Sequence, residues 1–421
     1  MKLPLWNPPR LPCVRSKLTP AAVLVFGLFL GTLDVRGQAV FSPPTPIDNT
    51  PPAFPQAPQN DSAPATPQAA SSPFQWGFVT AHPHMSYRYL YGNGIQSTPG
   101  NQTKTSINAI SLGVLLNVGS HWTLDYTPTQ TYYSDRAFKD TFDQSVRLLG
   151  ATTYENWSFQ LAQSYSSTDT PLIETGQQTS EDDYSTNATA GYHFNERVQL
   201  DTNLSYVARY TTVYPDSKET TVGERLHYKF LPTVDTSVNL DYGSVNMSSG
   251  TDMNYTRPGA QVNWQATDKT SFNLQAGWEH RTFRDSGTDS LNSPTFAAGL
   301  HFQPTTTTSI NLSTNRGVAT AYFTDQITRN TAWQVDIQQR LLQHYYLSAG
   351  YSDQKSTYLS TDPTVVAGRD DKSHSFNVRL STTFFERAEV AILYQDTHND
   401  SNNSGFAFDS RQVGMELSYR Y

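Results

Sequence analysis

The sequence predicts an all-β chain, a transmembrane antiparallel up-and-down β-barrel of 16–18 strands preceded by a signal peptide and a disordered Pro-rich segment. Three observations predict it. From residue 75 onward apolar and polar side chains alternate with the period of two of a β-strand. Short polar turns recur at spacings of 34 to 43 residues, the length of a hairpin-sized unit. Longer polar segments lie midway between those turns, and outer-membrane barrels sort their connections in this way, tight on the periplasmic side and long outside.

In chain order, residues 1–39 read as the signal peptide. Lys2, Arg10, Arg15 and Lys17 precede an apolar run of 13 residues at 21–33, too short to span a bilayer comfortably. Gly37 and Ala39 supply the small residues a signal peptidase reads, so cleavage is expected after Ala39, with an uncleaved anchor as the alternative. Cys13, the single cysteine, leaves with this segment, and the mature chain can then form no disulfide. It keeps 24 basic against 36 acidic residues, a net charge of about −12, which argues against nucleic acid as a partner.

Residues 40–74 form the spacer. Ten of the 25 prolines fall between 43 and 73, a composition that can neither ladder nor bury a core, so a disordered periplasmic segment is expected. Docking to a periplasmic partner is the alternative. The remaining domain, residues 75–421, is the barrel. Charged residues are only 16% of the chain while Tyr (24) and Phe (21) are abundant, a mixture that favours strands. No stretch after residue 40 approaches 18 consecutive apolar residues, which excludes a helical membrane protein.

Short turns are expected near residues 120, 154, 195, 232, 268, 305, 343 and 386. They join sixteen strands, and an opening strand at 85–91 with a closing strand at the end makes eighteen. The segments 168–182, 358–372 and 395–405 read as outer loops. In a bilayer every backbone N–H and C=O must be paired within the protein, so the last strand is expected to close on the first. That strand is VGMELSYRY, with Val413, Met415, Leu417, Tyr419 and Tyr421 on one face. Trp122, Trp157 and Trp264 flank short turns and are expected at one membrane interface, where amphipathic rings accumulate.

The signal peptide, the units DTSVNLDYGSV and KTSFNLQAGW, and the terminal aromatic of MELSYRY resemble bacterial outer-membrane β-barrels, most closely the putative β-barrel porin family, over about residues 80–421. The resemblance implies a Gram-negative outer-membrane location, outer-membrane lipids and hydrophilic solutes as partners, and insertion by the barrel-assembly machinery, which reads a C-terminal strand of this kind. Some relatives are associated with exopolysaccharide export. The Pro-rich segment is not part of the family pattern.

Assigning the apolar set of each strand to lipid turns the other set inward: Arg88, Asp125, Arg147, Asp201, Arg209, Arg225, His227, Lys229, Asp241, Glu279, Arg281, Asp336, Arg340, Arg379, Glu416 and Arg420. These are the expected pore-lining residues, and charge along a lumen tunes which solutes pass. The plainer reading is cross-strand pairing that only solvates the wall. Arg225, His227 and Lys229 on one strand suggest a local positive patch. His82 and His84 flank a proline, and EDD (181–183) and RDD (369–371) lack the spacing of a calcium loop, so no metal or cofactor is expected. No hydrolase, zinc-protease, Walker or dinucleotide motif is present, and enzyme activity is not expected.

The expected function is a passive, porin-like channel for small hydrophilic solutes or oligosaccharides. The alternatives are an exopolysaccharide export conduit, a non-conducting structural or adhesive barrel, and a lipid-modifying enzyme on the outer wall. A homotrimer stays open, since lipid-facing and subunit-facing residues share one pattern. No interior loop longer than about 15 residues stands out, so an unplugged lumen is expected.

Overall fold

The computed structural model describes residues 74–284, 286–384 and 387–421. The expected signal peptide and the spacer up to residue 73 lie outside the described residues. A two-residue strand β1 (Gln75–Trp76) folds back on β2 (Val79–Thr98). There follow β3 (Asn101–Val118), β4 (Trp122–Tyr133), β5 (Thr141–Tyr154), β6 (Trp157–Leu172), β7 (Gln177–His193), β8 (Val198–Thr211) and β9 (Ser217–Leu231). Next come β10 (Val234–Met247), β11 (Met253–Thr267), β12 (Thr270–Phe283), β13 (Leu291–Thr305) and β14 (Thr308–Thr320). The last five are β15 (Gln326–Leu341), β16 (Tyr345–Ser360), β17 (Asp370–Phe384), β18 (Ala388–Ser401) and β19 (Phe408–Arg420).

Each strand from β2 on pairs antiparallel with its neighbours in sequence, and β19 pairs with β2 from Arg411↔Asn93 to Arg420↔His84. The result is a closed ring of eighteen strands, the upper end of the expected range. Closure leaves no strand of the ring with an unpaired edge along its whole length, the condition a spanning sheet must meet. The seam is fixed on the inner wall, where the register partners Arg88 and Glu416 form an ion pair with Nη2 2.6 Å from Oε2.

The short connections fall where the sequence placed them, from 119–121 between β3 and β4 to the link between the end of β17 at Phe384 and the start of β18 at Ala388. The expected outer loops differ. Most of 168–182 is strand, because β6 and β7 remain paired up to Leu172↔Gln177, and β16 and β17 likewise shorten the loop to 361–369. A strand tilted about 40° climbs roughly 2.5 Å per residue, so an apolar band about 25 Å tall takes about ten residues. Strands of 16 and 17 residues such as β6 and β7 therefore rise beyond it, and there polar side chains sit on a ladder as readily as in a loop.

The outer face is apolar and exposed: Val222, Leu226, Tyr228 and Phe230 on β9, and Val238, Leu240 and Tyr242 on β10. On β19, Val413, Met415, Leu417 and Tyr419 share this face. Trp157 and Trp264 are outward at the short-turn end, Trp264 stacked on Phe272 at 5.3 Å, and Trp122 opens β4 at the same end. Beside them Tyr421 donates its backbone N–H to Pro83 O (3.1 Å), packs edge-on against Phe74 at 5.1 Å and lies under Arg387.

Candidate functional site

The inner wall holds the expected charged residues, and cross-strand register brings them into groups. On β8, β9 and β10, His227 stands between two carboxylates, with Nε2 3.1 Å from Asp201 Oδ2 and Nδ1 3.1 Å from Asp235 Oδ1. Arg225 is opposite Asp201 and Lys229 opposite Asp235 in the register. The patch read as positive is thus mixed in charge, because Asp235 comes from the next strand, across a turn, and is invisible in the triad itself.

Further round, Arg257 Nε lies 3.4 Å from Asp241 Oδ2 and its Nη1 3.6 Å from Glu279 Oε2. Arg281 Nε is 2.9 Å from Glu279 Oε1. Glu279 and Arg281 face inward but are only 1% and 2% exposed. On the seam side, Glu416 receives Arg88 and also Arg379 Nη2 (3.1 Å), while Arg379 Nη1 reaches Glu389 (2.5 Å). Arg147, Gln334 and Arg340 are inward and exposed, so part of the lumen wall stays wet. Asp336 is inward and half-buried, near Gly350.

Glu279 and Arg281 are covered because a hairpin packs into the lumen beside them. The β13–β14 ladder stops at Phe296↔Arg316, although β13 begins at Leu291 and β14 runs on to Thr320. Above that point β14 parts from β13, and the β14–β15 hairpin, still laddered to β16, leans inward. Its Ile327 packs with Val245, Met253 and Tyr255 from the inner faces of β10 and β11, and Arg281 lies over the same Tyr255 ring at 4.8 Å. The tip, Ala321 to Asp325, reaches inward-facing Arg209 on β8, whose Nη2 donates to Ala321 O (3.0 Å) and whose guanidinium sits 3.9 Å over the Tyr322 ring.

The β6–β7 tip meets it from the other side. Tyr322 N donates to Glu174 Oε1 (2.8 Å), and the Tyr322 hydroxyl to Glu181 Oε2 (2.5 Å). Arg369, entering β17, donates from Nη1 to Glu174 O (2.8 Å) and from Nη2 to Asp371 Oδ2 (2.5 Å). Its guanidinium lies against Phe406 at 3.6 Å and Tyr358 at 4.3 Å, and Tyr214 packs edge-on against Tyr322 at 5.8 Å. In a ring of eighteen, β6–β7 and β14–β15 are eight strands apart, close to diametrically opposite. Contact between their tips is possible only across the mouth.

A bulge helps the other loops converge. At Gly94 (φ 82°) the β2–β3 register shifts, and a Cβ there would collide with the Asp409 carbonyl. Beyond it Ile95, Gln96 and Ser97 are buried, and Gln96 donates to Gly405 O (3.3 Å). An unplugged lumen is expected from the sequence, and the structure differs in that ordinary hairpin tips, not one long interior loop, meet across the mouth. The acidic segments at 181–183 and 369–371, expected in outer loops, lie on β7 and at the start of β17 and serve this contact.

The remaining expected residues are accounted for. His82 Nδ1 lies 3.3 Å from Tyr421 O and His84 Nε2 3.0 Å from Thr127 Oγ1, and among the described residues no cluster of His, Cys, Asp or Glu is arranged to hold a metal. Sequence reasoning missed Glu174, Tyr322 and Arg369, which carry no local signature. It also missed Glu224, on the outward face of β9 between Val222 and Leu226 and bonded by Thr202 Oγ1 at 2.9 Å. The break in alternation at Glu224 was there to be seen.

No curated protein matches the chain. Among solved structures it is similar to OpdO of Pseudomonas aeruginosa, at 13% identity over 81% of this chain and 97% of that one with a TM-score of 0.44. It is also similar to OccK7 (OpdD) of the same organism, at 11% identity over 82% of this chain and 99% of that one, TM-score 0.45. The resemblance read from the sequence is met by a family model: residues 215–421, which hold β9 to β19 of the closed ring, match the family described as Putative beta-barrel porin 2.

Proposed function

We propose that the chain is a porin-like channel of the outer membrane, through which small hydrophilic solutes, oligosaccharides among them, diffuse passively. The observation that supports this reading best is the sorting of the two faces of a closed ring, exposed apolar side chains outside and Arg147, Gln334 and Arg340 wet within. The family match over residues 215–421 points the same way.

On this reading Trp122, Trp157 and Trp264 anchor the barrel in the periplasmic-side interface. The strand ending in Tyr419 and Tyr421 presents the signal for the assembly machinery, and the segment before residue 74 extends into the periplasm. Selectivity is set by the mixed group of Asp201, Arg225, His227, Lys229 and Asp235. Replacing Arg225 and Lys229 by glutamine should shift the reversal potential toward cations, and replacing Asp201 and Asp235 by asparagine toward anions.

The test is conductance of the full chain in a planar bilayer under a salt gradient, with a variant whose β6–β7 and β14–β15 tips are replaced by tight turns as the open reference. Discrete steps from that reference support the channel. A heat-modifiable barrel that is silent even with both tips shortened rules it out and leaves the structural barrel. An export conduit would in addition conduct only with a periplasmic partner present.

A further inference from the structure

We infer that the two inward tips form an autoinhibitory latch, in which Glu174 of the β6–β7 tip is held by the β14–β15 tip and by Arg369, so that this chain closes its own mouth until the latch is released. The inference rests on the channel reading. It differs from a fixed constriction in what the contact is made of.

A fixed narrowing needs only loops that pack on their own wall. Here the tips grip each other, and the bonds that Tyr322 and Arg369 donate to Glu174 join segments distant both in sequence and around the ring. Tyr322 lies 148 residues from Glu174, and Arg369 lies 195 residues away. The contact is closed tightly enough to exclude water: Glu174 is 3% exposed, Thr175 1%, Ala321 0% and Thr361 0%. Burying the Glu174 carboxyl this completely, with the Arg369 side chain 10% exposed beside it, is costly unless the carboxyl keeps its bonds, so the contact depends on its partners staying in place.

The parts that must move are few. The β14–β15 hairpin is already unpaired from β13 above Arg316, so its upper part can swing without breaking ladder bonds to that neighbour. The β6–β7 ladder with β5 ends at Gln144↔Ser167, and beyond it the hairpin is tied to that side only by side-chain bonds, Asp169 N–H to Asp143 Oδ1 (3.0 Å) and Gln178 with the Lys139 backbone. Two hairpin tips, β14–β15 free of β13 though still laddered to β16 and β6–β7 beyond the end of the β5 ladder, meet at a small buried polar knot. A contact that is either made or broken is the two-state element a gate requires. The charged groups facing Glu174 are Arg209 on β8 and Arg369 and Asp371 at β17, with Glu181 on β7 bonded to the Tyr322 hydroxyl and the phenols of Tyr214, Tyr322 and Tyr358 around them.

The deciding experiment is a cross-link. In the full chain carrying Glu174→Cys and Tyr322→Cys, oxidation should tie the tips and abolish conductance, and a reducing agent should restore steps like those of the tip-shortened barrel. A second variant, Glu174→Ala with Arg369→Gln, should raise open probability by about tenfold over the parent chain, since two charge-assisted bonds are lost. Both variants must keep heat-modifiable mobility, which reports the folded barrel. If the cross-linked form, verified by mass, conducts as well as the reduced form, or if the parent chain is already as open as the tip-shortened one, the latch is wrong while the channel stands. Silence of the tip-shortened barrel would instead remove the channel reading itself.

Discussion

Glu416→Gln tests the idea that the barrel is closed by a specific inner-wall pair and not by backbone pairing alone. Glu416 accepts from Arg88 Nε (2.7 Å) and Nη2 (2.6 Å) across the β19–β2 seam, and from Arg379 Nη2 (3.1 Å) across β18. Its side chain is 12% exposed, with Arg379 at 10% and Arg88 at 36%. A hydrogen bond to a buried charge contributes about 1.5–3 kcal/mol, whereas a pair as wet as Arg88 contributes no more than about 1. Arg379 keeps Glu389, and the amide still accepts one bond, so the expected loss is about 2 kcal/mol. The assay is urea unfolding of the barrel refolded in phospholipid vesicles, with hydrogen exchange of the β2 and β19 amides read in parallel. Exchange should rise at the seam in Glu416→Gln but not in Glu389→Gln, whose pair with Arg379 bridges β17 and β18 only. A loss under about 0.5 kcal/mol with unchanged seam protection would refute the reasoning.

Three further outcomes are expected. Leu240→Arg, at a 54% exposed outward site midway along β10, should destabilise the barrel in vesicles by about 2–4 kcal/mol, while Gln334→Arg on the wet inner wall should cost under about 1; equal costs would mean the faces are misassigned. Burial pushes the Glu174 carboxyl above its ordinary value, as does Asp371, against the pull of the Tyr322 N–H, Arg209 and Arg369. The latched form then binds a proton more tightly than the released one, so closure is strongest at and below the ordinary carboxylate range and weakens as pH rises through the elevated value. Open probability should therefore climb with pH in the parent chain and stay low and flat in Glu174→Gln, whose amide imitates the protonated acid; a falling profile would reverse the sign. Tyr421→Ala loses the contacts with Phe74 and Arg387, and should lower the fraction of heat-modifiable barrel recovered from outer membranes, with the same fraction as in the parent sinking the assembly role.

Much of the barrel was legible because its determinants are local. Alternation of Val198, Leu200, Leu204 and Tyr206 with Gln199, Asp201, Asn203 and Ser205 fixes which face meets lipid, since one strand samples both environments every two residues. Turn residues at 119–121 or 232–233 act within a few positions of chain, so the short turns and a count of 16–18 strands followed from them. Closure followed too, because a spanning sheet with a free edge is forbidden whatever its sequence. Outer loop lengths were overestimated for the same reason that lipid patterning worked: above the band, polar residues no longer tell loop from ladder.

What tertiary structure alone decided is which charges meet. Asp235 reaches His227 only through the β9–β10 register, and Glu279 and Arg281 are hidden only because a hairpin from the next part of the ring leans over them. Glu174, Tyr322 and Arg369 are ordinary polar and aromatic residues at three separate tips, and nothing in their own neighbourhoods marks them. Curving eighteen strands into a ring brings opposite hairpins to one mouth, and the physical state of that mouth depends on distances between segments that no local pattern encodes.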